Sequence, residues 1–130
     1  MCILSPCRPR LLAACVAALL AVPAWAQSAA AGDASAGGMA FLQCADCHST
    51  TASNAAGPGL RGIVGRPAGK AAGFQYSAAM GKSTLVWDAK SLDGFLANPK
   101  GAVPGTSMDF PGVTDAAERA NLIAYLATLK

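Results

Sequence analysis

Apolar side chains recur at helical spacing most clearly near the end of the chain, where Leu122, Tyr125, Leu126 and Leu129 fall at i, i+3, i+4 and i+7. That stripe predicts a helix with one buried face, capped at its start by Thr114 or Asp115, and it makes Tyr125 a core residue rather than a catalytic one. A second stretch starts at Asp88 or Ser91, puts Leu92, Phe95 and Leu96 on one inner face, and stops at Pro99, which cannot continue a helix. A third runs from near Ala34 to Asp46 behind a cap at Asp33 or Ser35. Gly37 and Gly38 weaken it, each by about 1 kcal/mol relative to alanine. Ser77-Ala78-Ala79-Met80 reads as a short surface or packing helix. Between these elements lie Gly/Pro-rich loops, the longest over residues 49–76, longer than a self-sufficient core tolerates. The expectation is an all-α fold of three to five helices whose loops wrap something other than protein.

The first segment follows a different pattern. Arg8 and Arg10 precede an uncharged apolar run from Leu11 to Val22, and Ala24-Trp25-Ala26 offers the small residues of a cleavage site, so residues 1–26 read as a signal peptide cleaved after Ala26. A retained membrane anchor would need about 20 apolar residues, and this run is shorter and broken by Pro23. A lipidated Cys15 would need its apolar run ahead of the cysteine, whereas most of it follows. The expectation is therefore an exported, periplasmic protein in which residues 27–130 form one domain, with a small-residue run from Gln27 to Gly32 as the only linker.

Removing the leader changes both the charge and the cysteine inventory. Of 10 Lys and Arg, 8 remain against 7 Asp and Glu, a net of +1 that gives no support for binding nucleic acid or a polybasic attachment to membranes. Of five cysteines only Cys44 and Cys47 remain. A disulfide across a two-residue gap removes little chain entropy, so the pair needs another explanation.

That explanation lies in Cys44-Ala45-Asp46-Cys47-His48, a C-x-x-C-H. On a helix, residues three and four apart share a face, so both thiols and the imidazole can approach one flat ligand. Two thiols adding to the vinyl groups of a porphyrin, followed by an imidazole under its iron, require that arrangement. A thioredoxin-like pair would want a strand-helix-strand setting. A zinc site would want four ligands, and His48 is the only histidine. One covalent haem c, with iron bound by His48, is the expected cofactor.

A sixth ligand is then needed, and Met39, Met80 and Met108 are the candidates beside Met1. Met39, inside the helical stretch leading to the motif, reads as core filler, and Met80 as packing. Met108 ends the stretch Pro99 to Met108, too rich in Pro and Gly for helix, and such a loop can present a thioether. A His/Met pair raises the potential and fills both axial positions, which suits electron transfer.

With these motifs in place, the sequence from about Gly32 to Lys130 resembles the class I cytochromes c. The resemblance rests on the haem motif, Gly57-Pro58-Gly59-Leu60, Gly65-Arg66, Gly73-Phe74-Gln75-Tyr76-Ser77, Trp87, Asn98-Pro99, Val103-Pro104-Gly105-Thr106-Ser107-Met108 and Leu122-Ile123-Ala124-Tyr125-Leu126. It implies that the Pro58 carbonyl accepts the proton of the axial imidazole, that Arg66, Tyr76 and Trp87 surround the haem propionates, and that Met108 is the axial thioether. The chain departs from the family at Phe95, where many members have tyrosine, and over Ser49 to Ala56, which is shorter than in mitochondrial members. Gly101 and Ser107 stand where relatives often carry lysine, leaving Lys100 as the loop's one candidate to displace the methionine in alkaline solution.

The function expected is that of a monomeric single-electron carrier, not an enzyme, shuttling between larger redox complexes through transient contacts. The alternative is a haem subunit of a periplasmic oxidoreductase, or a haem protein that binds peroxide or another small ligand. Mitochondrial relatives ring the haem edge with lysines; here Gln43, Thr114 and Asp115 leave Lys100 as the clear basic residue near that edge. The expected docking surface is made of small apolar side chains such as Ala45, Ala102 and Val103, unless Lys70, Lys82 and Lys90 fold round into a basic face.

Overall fold

The computed structural model describes residues 31–130, and the expected signal peptide and most of the Gln27 to Gly32 run lie outside the described residues. The described residues form five helices: α1 (Ala34–Ala40), α2 (Ala78–Gly81), α3 (Ala89–Ala97), α4 (Pro99–Ala102) and α5 (Ala116–Leu126). They contain no named strand, only an isolated bridge between Pro67 and Val86. The fold is all-α.

Each helix starts where a side chain satisfies its free amides. Asp33 accepts from the amides of Ser35 (2.7 Å) and Ala36 (3.3 Å). Asp88 accepts from Ser91 N (2.7 Å) while Ser91 Oγ accepts from Asp88 N (3.0 Å), a reciprocal capping box, and Asp115 accepts from Glu118 N (2.7 Å). Two boundaries differ from the sequence expectation. The first helix does not continue to Asp46: α1 ends at Ala40 and tightens into a 3₁₀ turn, Phe41–Gln43, before the cysteines. Pro99 ends α3 but also opens α4, because a proline suits the first helical position and Asn98 Oδ1 caps the new turn by accepting from Gly101 N (2.9 Å).

The frame is the crossing of α1 and α5. Gly37 makes it close: a Cβ there would collide with the backbone carbonyl of Asn121 and come to 2.8 Å from Tyr125 Cβ. Asp33 N donates to Asn121 Oδ1 (2.8 Å), and the rings of Phe41 and Tyr125 meet at 5.4 Å between centroids. Arg119 ties α5 to α3 through Asp93 (2.7 Å) and to the loop between them through the carbonyls of Val113 and Thr114 (both 2.9 Å). Leu92, Phe95, Leu96, Leu122 and Leu126 form the core as the helical stripes predict, and Tyr125 is half-buried against it.

Two side chains turn the other way. Met39 is 70% exposed instead of filling the core, because α1 packs through Gly37 and the 3₁₀ turn through Phe41. Val103, expected on the docking surface, is 5% exposed and belongs to the core, since Val103 N donates to Pro99 O (2.9 Å) and closes α4 with the side chain inward.

Candidate cofactor site

The turn after the 3₁₀ segment is wound by Cys47 N and His48 N, which donate to Cys44 O at 3.1 and 2.9 Å. It brings Cys44, Cys47 and His48 to one cavity of about 480 Å³, within the range of pockets that enclose a cofactor. All the site residues expected from the sequence line this cavity: Cys44, Cys47, His48, Pro58, Arg66, Tyr76, Trp87 and Met108. Cys44 is half-buried, Cys47 is exposed at the rim, and both thiols are free. Burial pushes the Cys44 thiol above its ordinary range, with Cys47 and Glu118 adding to the effect.

His48 is oriented from behind. Its Nδ1 lies 2.8 Å from the carbonyl oxygen of Pro58, which can only accept, so Nδ1 carries the proton and Nε2 keeps its lone pair for a metal. Gly57 lies against the ring: a Cβ there would sit 2.7 Å from Nδ1 and 2.8 Å from Nε2. Gly57 N donates to Cys47 O (2.7 Å), which holds that strip of backbone against the motif.

The far loops supply the polar edge. Arg66 donates through Nη2 to Gly59 O (3.0 Å) and through Nη1 to Arg61 O (3.3 Å), and its carbonyl accepts from Trp87 N (3.0 Å). Among the described residues the two ion pairs are Lys100–Asp109 and Arg119–Asp93, so the half-buried Arg66 guanidinium faces the cavity without a carboxylate partner. Tyr76 Oη accepts from Ala71 N (3.2 Å) and its ring meets Phe74 edge-on at 4.8 Å. Trp87 packs against Phe95 at 4.9 Å. Met108 is half-buried in the loop after α4, where its amide donates to Thr106 Oγ1 (3.3 Å) and a 2.7 Å ion pair between Lys100 and Asp109 closes the loop beside it.

Met80 also lines this cavity, and it is 6% exposed. The packing role expected for it agrees with that burial, but its place in the wall was not read from the sequence. The available signal was the cap at Ser77, whose Oγ accepts from Met80 N (3.2 Å) and fixes a single helical turn. Gly57 was read only as part of a motif, since nothing in a sequence shows that an imidazole will lie flat on it.

The donors fit a haem. Paired thiols stand at the rim, an imidazole is held in the metal-binding tautomer, thioethers face the interior, apolar walls surround them, and an uncompensated guanidinium is placed for an anionic edge. Such a shell defines a helical protein folded around a covalently held haem. The comparisons with known proteins agree: the family model described as cytochrome c matches residues 34–130. Cytochrome c2 of Rhodomicrobium vannielii is 48% identical over 107 residues, covering 80% of this chain and 86% of that protein. Cytochrome c of Guizotia abyssinica is 46% identical over 101 residues, covering 75% and 91%. The solved structure of cytochrome cH from Methylobacterium extorquens superposes with a TM-score of 0.73 at 48% identity, covering 75% of this chain and 99% of that one. The chain belongs to the cytochrome c family. As a member it binds one covalent haem c and carries electrons rather than catalysing a reaction on a substrate.

Proposed function

We propose that this protein is a periplasmic one-electron shuttle between larger redox complexes, with haem attached at Cys44 and Cys47 and its iron held by His48 and Met108. The observation that carries the reading is the convergence of both thiols, the Pro58-oriented imidazole and the Met108 loop on one cavity. When bound, the haem supplies a one-electron couple.

The chain's own residues set the conditions for that couple. Pro58 O holds the proton on His48 Nδ1 and so strengthens the imidazole as a donor. Leu92, Phe95, Leu96, Trp87 and Met80 exclude water from the interior, which favours the less charged, reduced state. Arg66 offers positive charge to the propionates, with Tyr76 and Trp87 beside it. With His48 and Met108 both holding the iron, no coordination position would remain for peroxide, and His48, the only histidine, would be engaged as a ligand rather than poised as an acid or base. Export rests on the leader over residues 1–26.

An absorption spectrum of the oxidised holoprotein tests the ligand set. The weak long-wavelength band of a sulfur–iron bond is expected in the native protein and in Met39→Leu and Met80→Leu, and is expected to vanish in Met108→Ala. Its loss in Met80→Leu and survival in Met108→Ala would transfer the axial role to Met80. Export is checked by sequencing the mature N-terminus, expected at Gln27.

A further inference from the structure

Four large apolar side chains stand exposed among the described residues: Met39, Leu42, Val64 and Val86. Met39 and Leu42 are the most exposed, at 70% and 64%, and neither lines the cavity, so a haem seated there leaves both in water. They lie three residues apart across the junction of α1 with the 3₁₀ turn and therefore share a face. The fold does not need their apolarity, because this segment packs through Gly37 and Phe41. Val64 and Val86 sit instead beside the bond from Gly65 N to Trp87 O (2.9 Å), in loops that carry no attachment cysteine.

The position of the Met39–Leu42 ridge gives it a use. It leads within a few residues to the half-buried Cys44 and the exposed Cys47, the two residues to which the haem would be attached. The segment that carries the ridge has no positive side chain: residues 31–60 contain no Lys or Arg, only Asp33 and Asp46. The neutral Gln43 donates through Nε2 to Glu118 Oε1 (3.0 Å), and Lys100 is paired with Asp109 (2.7 Å). A partner that docks through an acidic ring finds no lysine or arginine in this segment.

We propose that Met39 and Leu42, with the exposed Ala45 beside them, form the contact on which the redox partner seats, and that this partner is a protein with an apolar, electrically neutral docking face. The proposal rests on the electron-carrier reading above. The contact is transient and small, below about 1,200 Å² in total, and long-range steering contributes little to its rate.

The test uses the double variant Met39→Gln/Leu42→Gln as holoprotein, which removes apolar contact without adding charge. Reduced protein is mixed by stopped flow with membrane vesicles of the source organism and, separately, with hexacyanoferrate. With vesicles the second-order rate is expected to fall about tenfold, equivalent to about 1.4 kcal/mol. With hexacyanoferrate it is expected to stay within about twofold, and the wild-type vesicle rate is expected to vary by less than about threefold across a tenfold salt range. An unchanged vesicle rate in the double variant would overturn the docking proposal while leaving the carrier reading intact. So would a wild-type rate that collapses by orders of magnitude with salt, since that is the mark of an acidic partner. Vesicles that never oxidise the wild-type protein, while hexacyanoferrate does, would overturn the carrier reading and this proposal with it.

Discussion

Replacing Gly57 with alanine places a methyl group against the face of His48. Its Cβ would lie 2.7 Å from Nδ1, 2.8 Å from Nε2 and closer still to Cε1, whereas unstrained contacts between heavy atoms begin near 3.5 Å, so something must move by about 1 Å. The backbone is poorly placed to yield. Gly57 N is bonded to Cys47 O at 2.7 Å and Gly57 O accepts from Ala55 N at 2.9 Å. The ring therefore moves, and a displacement of that size stretches its 2.8 Å bond to Pro58 O beyond about 3.5 Å, where little hydrogen bonding remains. Overpacking of this kind costs about 1–3 kcal/mol and the lost bond about 1 kcal/mol more. For a domain of this size a loss of that order corresponds to a fall in Tm of roughly 10–20 °C. A weaker hold on the Nδ1 proton makes the imidazole a poorer donor, so the reduction potential should rise. Thermal unfolding followed in the haem absorption, paired with a potentiometric titration, measures both effects. A Gly57→Ala holoprotein that melts within about 2 °C of wild type with an unchanged potential would refute this account of Gly57 and His48.

Leaving the 480 Å³ cavity empty should cost on the order of 10 kcal/mol, comparable to the whole stability of a domain, so protein matured without haem, or His48→Ala, should be largely unfolded by circular dichroism. A cooperatively melting apo chain would contradict this. Asp88 is held below the usual carboxylate range mainly by the Ser91 amide, so its contribution to stability is complete above the ordinary carboxylate pKa and is lost as the pH falls through the depressed folded value. Asp88→Asn keeps the cap and should flatten that acid limb, as chemical denaturation at several pH values would show. In alkaline solution Lys100→Ala should raise the midpoint for loss of the sulfur–iron band, while Asp109→Asn, which frees Lys100 from its 2.7 Å ion pair, should lower it. An unchanged midpoint in Lys100→Ala would assign the incoming ligand elsewhere.

What the sequence made legible was local or strongly periodic. Asp33, Asp88 and Asp115 cap because a short acceptor stands just ahead of each helix, and Leu122 and Leu126 face inward because the α5 stripe is unbroken. The cavity-lining residues were legible because the haem motif specifies a chemistry and the loop motifs carry the family resemblance. What failed was facing. α1 is seven residues of mostly Gly, Ala and Ser, so its sequence contains no apolar stripe from which to decide that Met39 points outward. Val103 sits in a loop that looks irregular from its Pro and Gly content, yet the Asn98 cap converts its start into a helical turn and sends Val103 inward.

The long loop over residues 49–76 shows where a cofactor is needed and where it is not. Without haem this loop has too little apolar surface of its own to order so many residues, each of which costs about 1–2 kcal/mol in backbone entropy. Part of that cost is nevertheless met by protein alone. Asn54 bridges the loop from within, its Nδ2 donating to Ala72 O (2.9 Å) and its Oδ1 accepting from Gly59 N (3.0 Å). Gly62 N reaches the chain's far end at Leu129 O (2.6 Å), and Leu60 N returns to Ser49 O (2.9 Å) just after the haem motif. These bonds pin both flanks of Gly57-Pro58 to the α5 terminus and to the motif turn. The carbonyl that orients His48 is therefore positioned by the same backbone network that closes the loop around the largely apolar cavity.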